Sequence, residues 1–481
     1  VAFNKAPSIS TRQTKDVKLI WALDNRETTK TKDVIARNGF FDLVKNPATK
    51  DDMYSFTKRE GVSPYMASLP QDNIRGMYYW EDEDKLYVAY DDKIAIYAGS
   101  TGVLSTTLTP FTSTTGDVGF TEFYFDDTTT NVVVSDGTVL AKIDSADVLT
   151  ASADADLPTP HNPHTMFLDG YLFLVKEGSS DIYNSTLDDP LAWVPGDFIT
   201  AEMIPDTLFR VARLSNYLIA MGSASIEYFF DAGNASGSPL QRNDTPVKHV
   251  GYIGGFATQE NKIFFIGQAS STAPLLYILE DFKMESVDSP MIRRYLQKDS
   301  VYTATIISMG GHNFYVLTVD GFTLMLDLET KVWTRLGYQA TDTLPCQHAV
   351  MIPIDGSGHC SVFSMLGSEN LFFFKPAYYT DNGVAFPVVC QTPKQRFDTM
   401  HEKYMFRILP VTDKTTGTMS IDWTDDDYQT YATARTVDLS IEKPMLHRLG
   451  RFVERALRFT VTSTASFRMY HAEVDYNIGL K

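Results

Sequence analysis

Seven short apolar runs recur along the middle of this chain, marked by Leu86, Val132, Leu172, Leu218, Ile263, Phe314 and Val362. Neighbouring markers stand 40 to 51 residues apart. Each run is preceded by a turn rich in acid or glycine and followed by a second turn and an alternating stretch. A short run such as YLFLV or KIFFIG that is apolar at every position reads as a strand buried on both faces. A unit of this length cannot cover both of its own faces, so radial stacking about an axis is the natural solution. The spacing predicts an all-β chain built on a β-propeller-like repeat domain of six or seven blades. Two stacked β-sandwiches would not keep so even a spacing. One unit shows the local pattern clearly: Tyr217 to Met221 is apolar, Gly222-Ser223 turns, and Ile226, Tyr228 and Phe230 then alternate with Ser225, Glu227 and Phe229. That is an antiparallel hairpin, and a Gly/Asn/Ser/Pro loop and the glycines 251, 254 and 255 follow it.

The cadence sets the domain reading: a lead segment or arm over 1–70, the propeller over 71–380, and a C-terminal β-sandwich over 381–481, where Met419, Ile421 and Trp423 alternate. Of the 481 residues 43% are hydrophobic and 12% aromatic, enough for buried cores and weighted towards strands. No run of about 18 apolar residues is present, so no membrane span is expected. The polar start VAFNKAPSIS shows no apolar signal region. Cys346, Cys360 and Cys390 are widely spaced and odd in number, which suits free thiols in a reducing cytoplasm. The net charge of −18 would repel a nucleic-acid backbone unless basic residues cluster locally.

Catalytic patterns fail in turn. There is no GxSxG, no GxxxxGK[ST], and His401-Glu402 has no second histidine four residues on. His161 and His164 in PHNPH each follow a proline, at 160 and 163, as in a blade-linking loop. Cys360 beside His359 reads as a buried structural thiol. Asp425-Asp426-Asp427 lacks the glycine and the closing glutamate of a calcium loop and reads as a hairpin turn. No cofactor, metal or enzymatic activity is expected.

Four stretches resemble the tail-hub, or packaged-DNA stabilisation (tail nozzle), proteins of short-tailed bacteriophages. MGSASIEYF, with the glycine-rich segment behind it, is similar to that family's FGxxSIEYF strand pair. Trp423-Thr424-Asp425-Asp426, Arg448-Leu449-Gly450-Arg451 and Leu457-Arg458-Phe459-Thr460 follow in the family's order. The resemblance implies a structural virion protein of the phage tail, folded and assembled in the bacterial host cytoplasm. It implies a homo-oligomeric, six-fold ring below the portal and head-to-tail adaptor. Further neighbours would be a tail needle or plug and tailspikes or fibres, with double-stranded DNA retained and then passed without sequence-specific binding. The competing class is a propeller that binds or degrades glycans as a virion protein.

Two groups of charged residues stand out within this reading. Glu81, Asp82, Glu83 and Asp84 precede the first marker strand and Asp126 and Asp127 the second, with Asp169 and Glu260 in the equivalent place later. If the units are blades these turns share one rim, a negative band that would keep DNA from sticking. Against the acidic background Arg448, Arg451, Arg455 and Arg458 cluster near the C-terminus, with Lys443 beside them. Arginine favours interfaces because its planar fork pairs with carboxylates, so this cluster is expected to meet an acidic neighbour, the next copy in a ring.

Overall fold

The computed structural model describes residues 12–19, 35–45, 52–65, 73–125, 130–234, 236–287, 290–296, 302–319, 321–397 and 399–479. Seven antiparallel four-stranded units run in chain order: blade 1 over 74–108, blade 2 over 119–151, blade 3 over 166–200, blade 4 over 208–248, blade 5 over 251–287, blade 6 over 303–336 and blade 7 from 346. All seven marker residues fall on the second strand of a blade. The hairpin is present as read, with Leu218 opposite Phe229 and Met221 opposite Ile226.

Those second strands are apolar throughout because each blade is packed between two others. In blade 4, Leu218, Ala220 and Phe229 bury against blade 3 (Phe173, Val175). Ile219, Met221, Ile226 and Tyr228 bury against blade 5 (Ile263, Phe265). Similar interfaces join every neighbouring pair of blades, including blade 7 to blade 1 through Val362, Phe373, Leu86 and Val88. The ring is therefore closed by apolar burial, at about 1.5–3 kcal/mol for each large side chain withdrawn from water. One short helix, Pro290–Leu296, packs Ile292 and Leu296 into the interface of blades 5 and 6.

Blade 7 takes three strands from 346–375, and its fourth is Gly61–Pro64 from near the start of the chain, with Val62 opposite Phe374. A second sheet system lies beside blade 6. Ile35–Arg37 pairs in parallel with blade 6 at Arg335 and antiparallel with Pro387–Gln391. It thereby fuses blade 6 to a C-terminal sheet completed by 418–424, 435–438 and 456–462. The facing sheet combines Gln13–Lys18, Gly39–Lys45 and Asp52–Lys58 with 403–412, 446–452 and 468–478. Between the two lies one apolar core, with Phe41, Phe56, Phe459, Met469 and Val474 among its members. The described part of the lead segment, 1–70, is thus not an arm. It supplies strands to both halves, and its polar spacers hid that in the sequence.

Where the chain crosses from Asp52–Lys58 to Gly61–Pro64, Arg59 is fully buried. Its guanidinium donates to both Asp381 oxygens at 2.8 and 2.6 Å, to the Gly337 carbonyl at 2.6 Å and to Asn38 Oδ1 at 3.1 Å. Phe386 lies 3.9 Å beneath it. Asp381 also accepts from the backbone of Val62 and Gln339. Asn38 receives the Gly337 N–H and donates to the Pro387 carbonyl. Next door, Lys58 is buried and donates to the Tyr379 and Ser463 carbonyls. Burial and the adjacent Arg59 charge pull its ammonium down to about 8. A buried charge whose partner is removed costs about 3–5 kcal/mol. Asp381→Ala is therefore expected to lower stability by about that amount, read as a lower urea midpoint with an unchanged slope.

Candidate functional site

The innermost strands of the blades surround an axial lumen. Asp117 enters it just before the inner strand of blade 2, His164 just before that of blade 3, and Arg210 from the inner strand of blade 4. Tyr252 comes from blade 5 and His348 from blade 7. His164 Nε2 lies 3.6 Å from Asp117 Oδ2. Arg210 stacks 3.6 Å over the Phe256 ring, lies near the Tyr252 hydroxyl, and has a buried Nε with no partner. Burial, reinforced by the Arg210 charge, pushes the His164 imidazole down to about 4. Burial likewise lowers His348 and Arg210, whereas the hydrogen bond from His164 lowers Asp117. At neutral pH the His164 ring is thus neutral, and its 3.6 Å approach to Asp117 is not an ion pair. The Asp117 side chain is 67% exposed to the lumen, which screens its charge.

Two cavities open from this waist. One, of about 530 Å³, is lined by blades 2 to 5 and includes His164, Arg210 and Phe256. The other, of about 460 Å³, reaches the opposite end and includes Asp117 and Phe209. No local motif announced this cluster in the sequence, because its members are scattered along the chain from Asp117 to His348.

Of the residues singled out in the sequence, His164 belongs to this cluster and Glu260 lines the larger cavity, while the others fall elsewhere. Glu81, Asp82 and Glu83 are exposed in the first turn of blade 1. Asp84 is a staple in that turn, accepting from Tyr79 Oη at 3.0 Å and from Ser100 N and Oγ at 2.9 and 2.7 Å. Asp126 and Asp127 lie outside the described residues. Asp169, Ser215, Glu260 and Gly310 open two-residue hairpin loops at the same end of blades 3 to 6, with φ between 49° and 58°. Left-handed backbone at this position is what a hairpin turn demands, and Asp and Gly tolerate it best. Turn geometry alone therefore places some of these acids.

The arginine cluster divides. Arg455 is buried, forks onto Asp425 at 2.8 and 2.7 Å and lies 4.5 Å over Phe452. Arg458 forks onto Asp422 at 2.9 and 2.6 Å and stacks on Tyr431. These two are committed within the sandwich, a correction to the expectation that all four face a neighbour. Arg448 and Arg451 are exposed, Arg451 meeting Glu402 at 3.0 Å. Asp425 is thus a structural partner, Asp426 accepts from Thr424 and Thr430, and Asp427 pairs with Lys394.

The remaining candidates have structural duties. His161 is buried, bonded to Ser135 Oγ and the Pro158 carbonyl. All three cysteines are free and buried, and burial pushes Cys346 and Cys390 up to about 12, away from thiolate chemistry. Glu227 of the SIEYF stretch is buried and accepts the Met203 N–H at 3.0 Å, clasping the crossing from blade 3 to blade 4. Asp16, His471 and Glu473 bring potential ligand atoms within 4.8 Å on the outer face of the sandwich, a grouping common on acidic surfaces without an ion.

Two histidines separate the pH limits of the fold. His312 at the start of a blade 6 strand bonds Asp327 at 3.0 Å and Asp42 of the sandwich at 2.7 Å, which raises it to about 10. Its stabilising effect is complete below the ordinary imidazole value of about 6.5 and is lost as pH rises through about 10. For His164 the sign reverses: stability is complete above about 6.5 and is lost as pH falls through about 4. NMR titration of the imidazoles is expected to show His312 charged and His164 neutral throughout the neutral range. His312→Gln should flatten the alkaline limb of a stability–pH curve and leave the acid limb in place.

The family model described as "Bacteriophage P22 Gp10, beta-propeller" matches residues 75–353. Among solved structures, streptogramin B lyase is similar at 11% identity and TM-score 0.47, covering 66% of this chain and 97% of that one. Virginiamycin B lyase from Staphylococcus aureus gives 10% and 0.44, covering 65% and 98%. The Cps50 (Swd1) propeller domain of Myceliophteria thermophila gives 8% and 0.43, covering 66% and 99%. No curated protein matches in sequence. Similarity at this level says nothing of chemistry. The matched span runs from the first inner strand through blade 6 and the opening strand of blade 7, more than half the chain, and it makes this protein a member of the phage-stabilisation family typified by bacteriophage P22 Gp10.

Proposed function

We propose that this virion protein is a subunit of the tail hub or nozzle. In this reading six copies join head to tail in a ring below the portal and adaptor, retain packaged double-stranded DNA and form part of its exit conduit. A needle or plug would close the tip and tailspikes or fibres would attach at the side. Folding and assembly take place in the host cytoplasm, and the role is structural rather than enzymatic. The family match over blades 1 to 6 is the observation that carries this reading. The lumen supports it indirectly. The cavities there, of about 530 and 460 Å³, are the size of small-molecule pockets rather than of a duplex channel. DNA would then run between copies, along surfaces whose net charge of −18 discourages adhesion.

A closed ring needs two different contact surfaces on each copy. One candidate is the outer part of the sandwich, where exposed Arg448 and Arg451 lie on the strand paired with Lys403–Thr412. That strand exposes Tyr404 and Phe406 by 44% and 43%, and Val453 follows at 39%. Aromatic and arginine side chains together are the composition of interface centres. The complementary surface would be the acidic first-turn end of the propeller, Glu81 to Glu83.

Particles assembled without the protein are expected to lose DNA to nuclease, and full retention of nuclease-resistant DNA would refute the role. For the contact surface, Arg448→Glu with Arg451→Glu and Phe406→Glu should leave a folded monomer by mass photometry. Rings of undiminished stability in that variant would remove this surface from the assembly.

A further inference from the structure

We infer that the larger cavity, about 530 Å³ at the first-turn end of the propeller, is a binding site for a small ligand carrying one carboxylate or phosphate group, with Arg210 taking the anion. The observation behind it is an underpaired cation. Arg210 projects from the inner strand of blade 4, rests on Phe256 at 3.6 Å and lies near the Tyr252 hydroxyl. Among the described residues no carboxylate lies within ion-pairing distance of it, and its Nε is buried without a partner. The nearest acid that acts on it, Asp117, is engaged by His164 at 3.6 Å. A buried polar atom left unbonded is costly, and more so when charged. With Nε closed off, an anion entering the cavity would meet the terminal nitrogens of a guanidinium that no carboxylate neutralises.

The remaining walls suit such a ligand. Phe120 and Met166 are apolar, while Asn216 and Asn261 stand at the mouth, where their amides can both donate and accept. Arg213 lies there too, donating through Nε to the Ser215 carbonyl and leaving its terminal nitrogens available. Glu260 shares the mouth while Asp117 lies beyond the waist in the other cavity, so this cavity holds two guanidiniums against one carboxylate. That balance admits a monoanion and disfavours a polyanion such as DNA. The volume falls within the range of sites for compact organic molecules, about 300–1,000 Å³. This site does not depend on the hub reading, and binding and ring assembly are measured separately.

The test is calorimetric titration of the full chain with acetate, inorganic phosphate, glucuronate and, as a neutral control, glucose. An anion is expected to bind while glucose does not, and Arg210→Gln should weaken the binding at least tenfold, the loss of a charge-assisted bond. Binding by glucuronate alone would assign an acidic sugar, and binding by phosphate alone a phosphate ester. If Arg210→Gln fails to fold by circular dichroism, Arg213→Gln at the open mouth is the substitute and should also weaken binding. Absence of binding by every anion at millimolar concentration would overturn the proposal. So would equal binding of glucose, or unchanged affinity in the folded arginine variant.

Discussion

The pairing of Arg59 with Asp381 is the point on which the two halves of this molecule turn. A guanidinium and a carboxylate, both withdrawn from water, survive there because Asn38, Gly337, Val62 and Gln339 saturate what the pair leaves open. Those partners come from three parts of the architecture. Asn38 links two sandwich strands, Gly337 ends blade 6, and Val62 lies in the outer strand of blade 7. Buried ion pairs are weak sources of stability but strict about geometry. This one specifies how the sandwich docks on the propeller, and the apolar cores on either side supply the energy.

Those cores explain what could be read from the sequence. A blade is covered on both faces, so its second strand has no polar side and appears as an unbroken apolar run. Leu86, Leu172 and Ile263 were legible for that reason. The outer strands were much less so, since Val103–Leu108 or Leu240–Lys248 have one edge in water and a mixed composition. The lead segment defeated sequence reading more completely. Ile35–Arg37 and Gly61–Pro64 are too short to show a period, and their partners stand near the other end of the chain. Arg59 itself looked like one more charge in a polar connector.

The charged groups teach the same lesson from the other side. Four C-terminal arginines formed one cluster along the chain, yet Asp425 and Asp422 claim two of them. Proximity in sequence is no guide to exposure on a strand whose alternate residues point in opposite directions. The waist of the lumen is the reverse case. Asp117, His164, Arg210 and His348 meet only because inner strands of separate blades converge on an axis, and single-residue contributions of that kind leave no motif behind.

Closing the seventh blade with a strand from the beginning of the chain has a consequence for how the protein is made. Gly61–Pro64 leaves the ribosome early, but its partner Leu371–Lys375 emerges only after all six other blades. Gln13–Lys18 waits longer still, for Arg468–Ile478. At bacterial elongation rates the delay is on the order of tens of seconds, during which unpaired strand edges are open to other nascent chains. Blades 1 to 6 can stack as they appear, whereas the ring and the sandwich form only after nearly the whole chain has been synthesised. The Lys- and Thr-rich stretches between the early strands, such as RETTKTKD, would keep that waiting segment soluble.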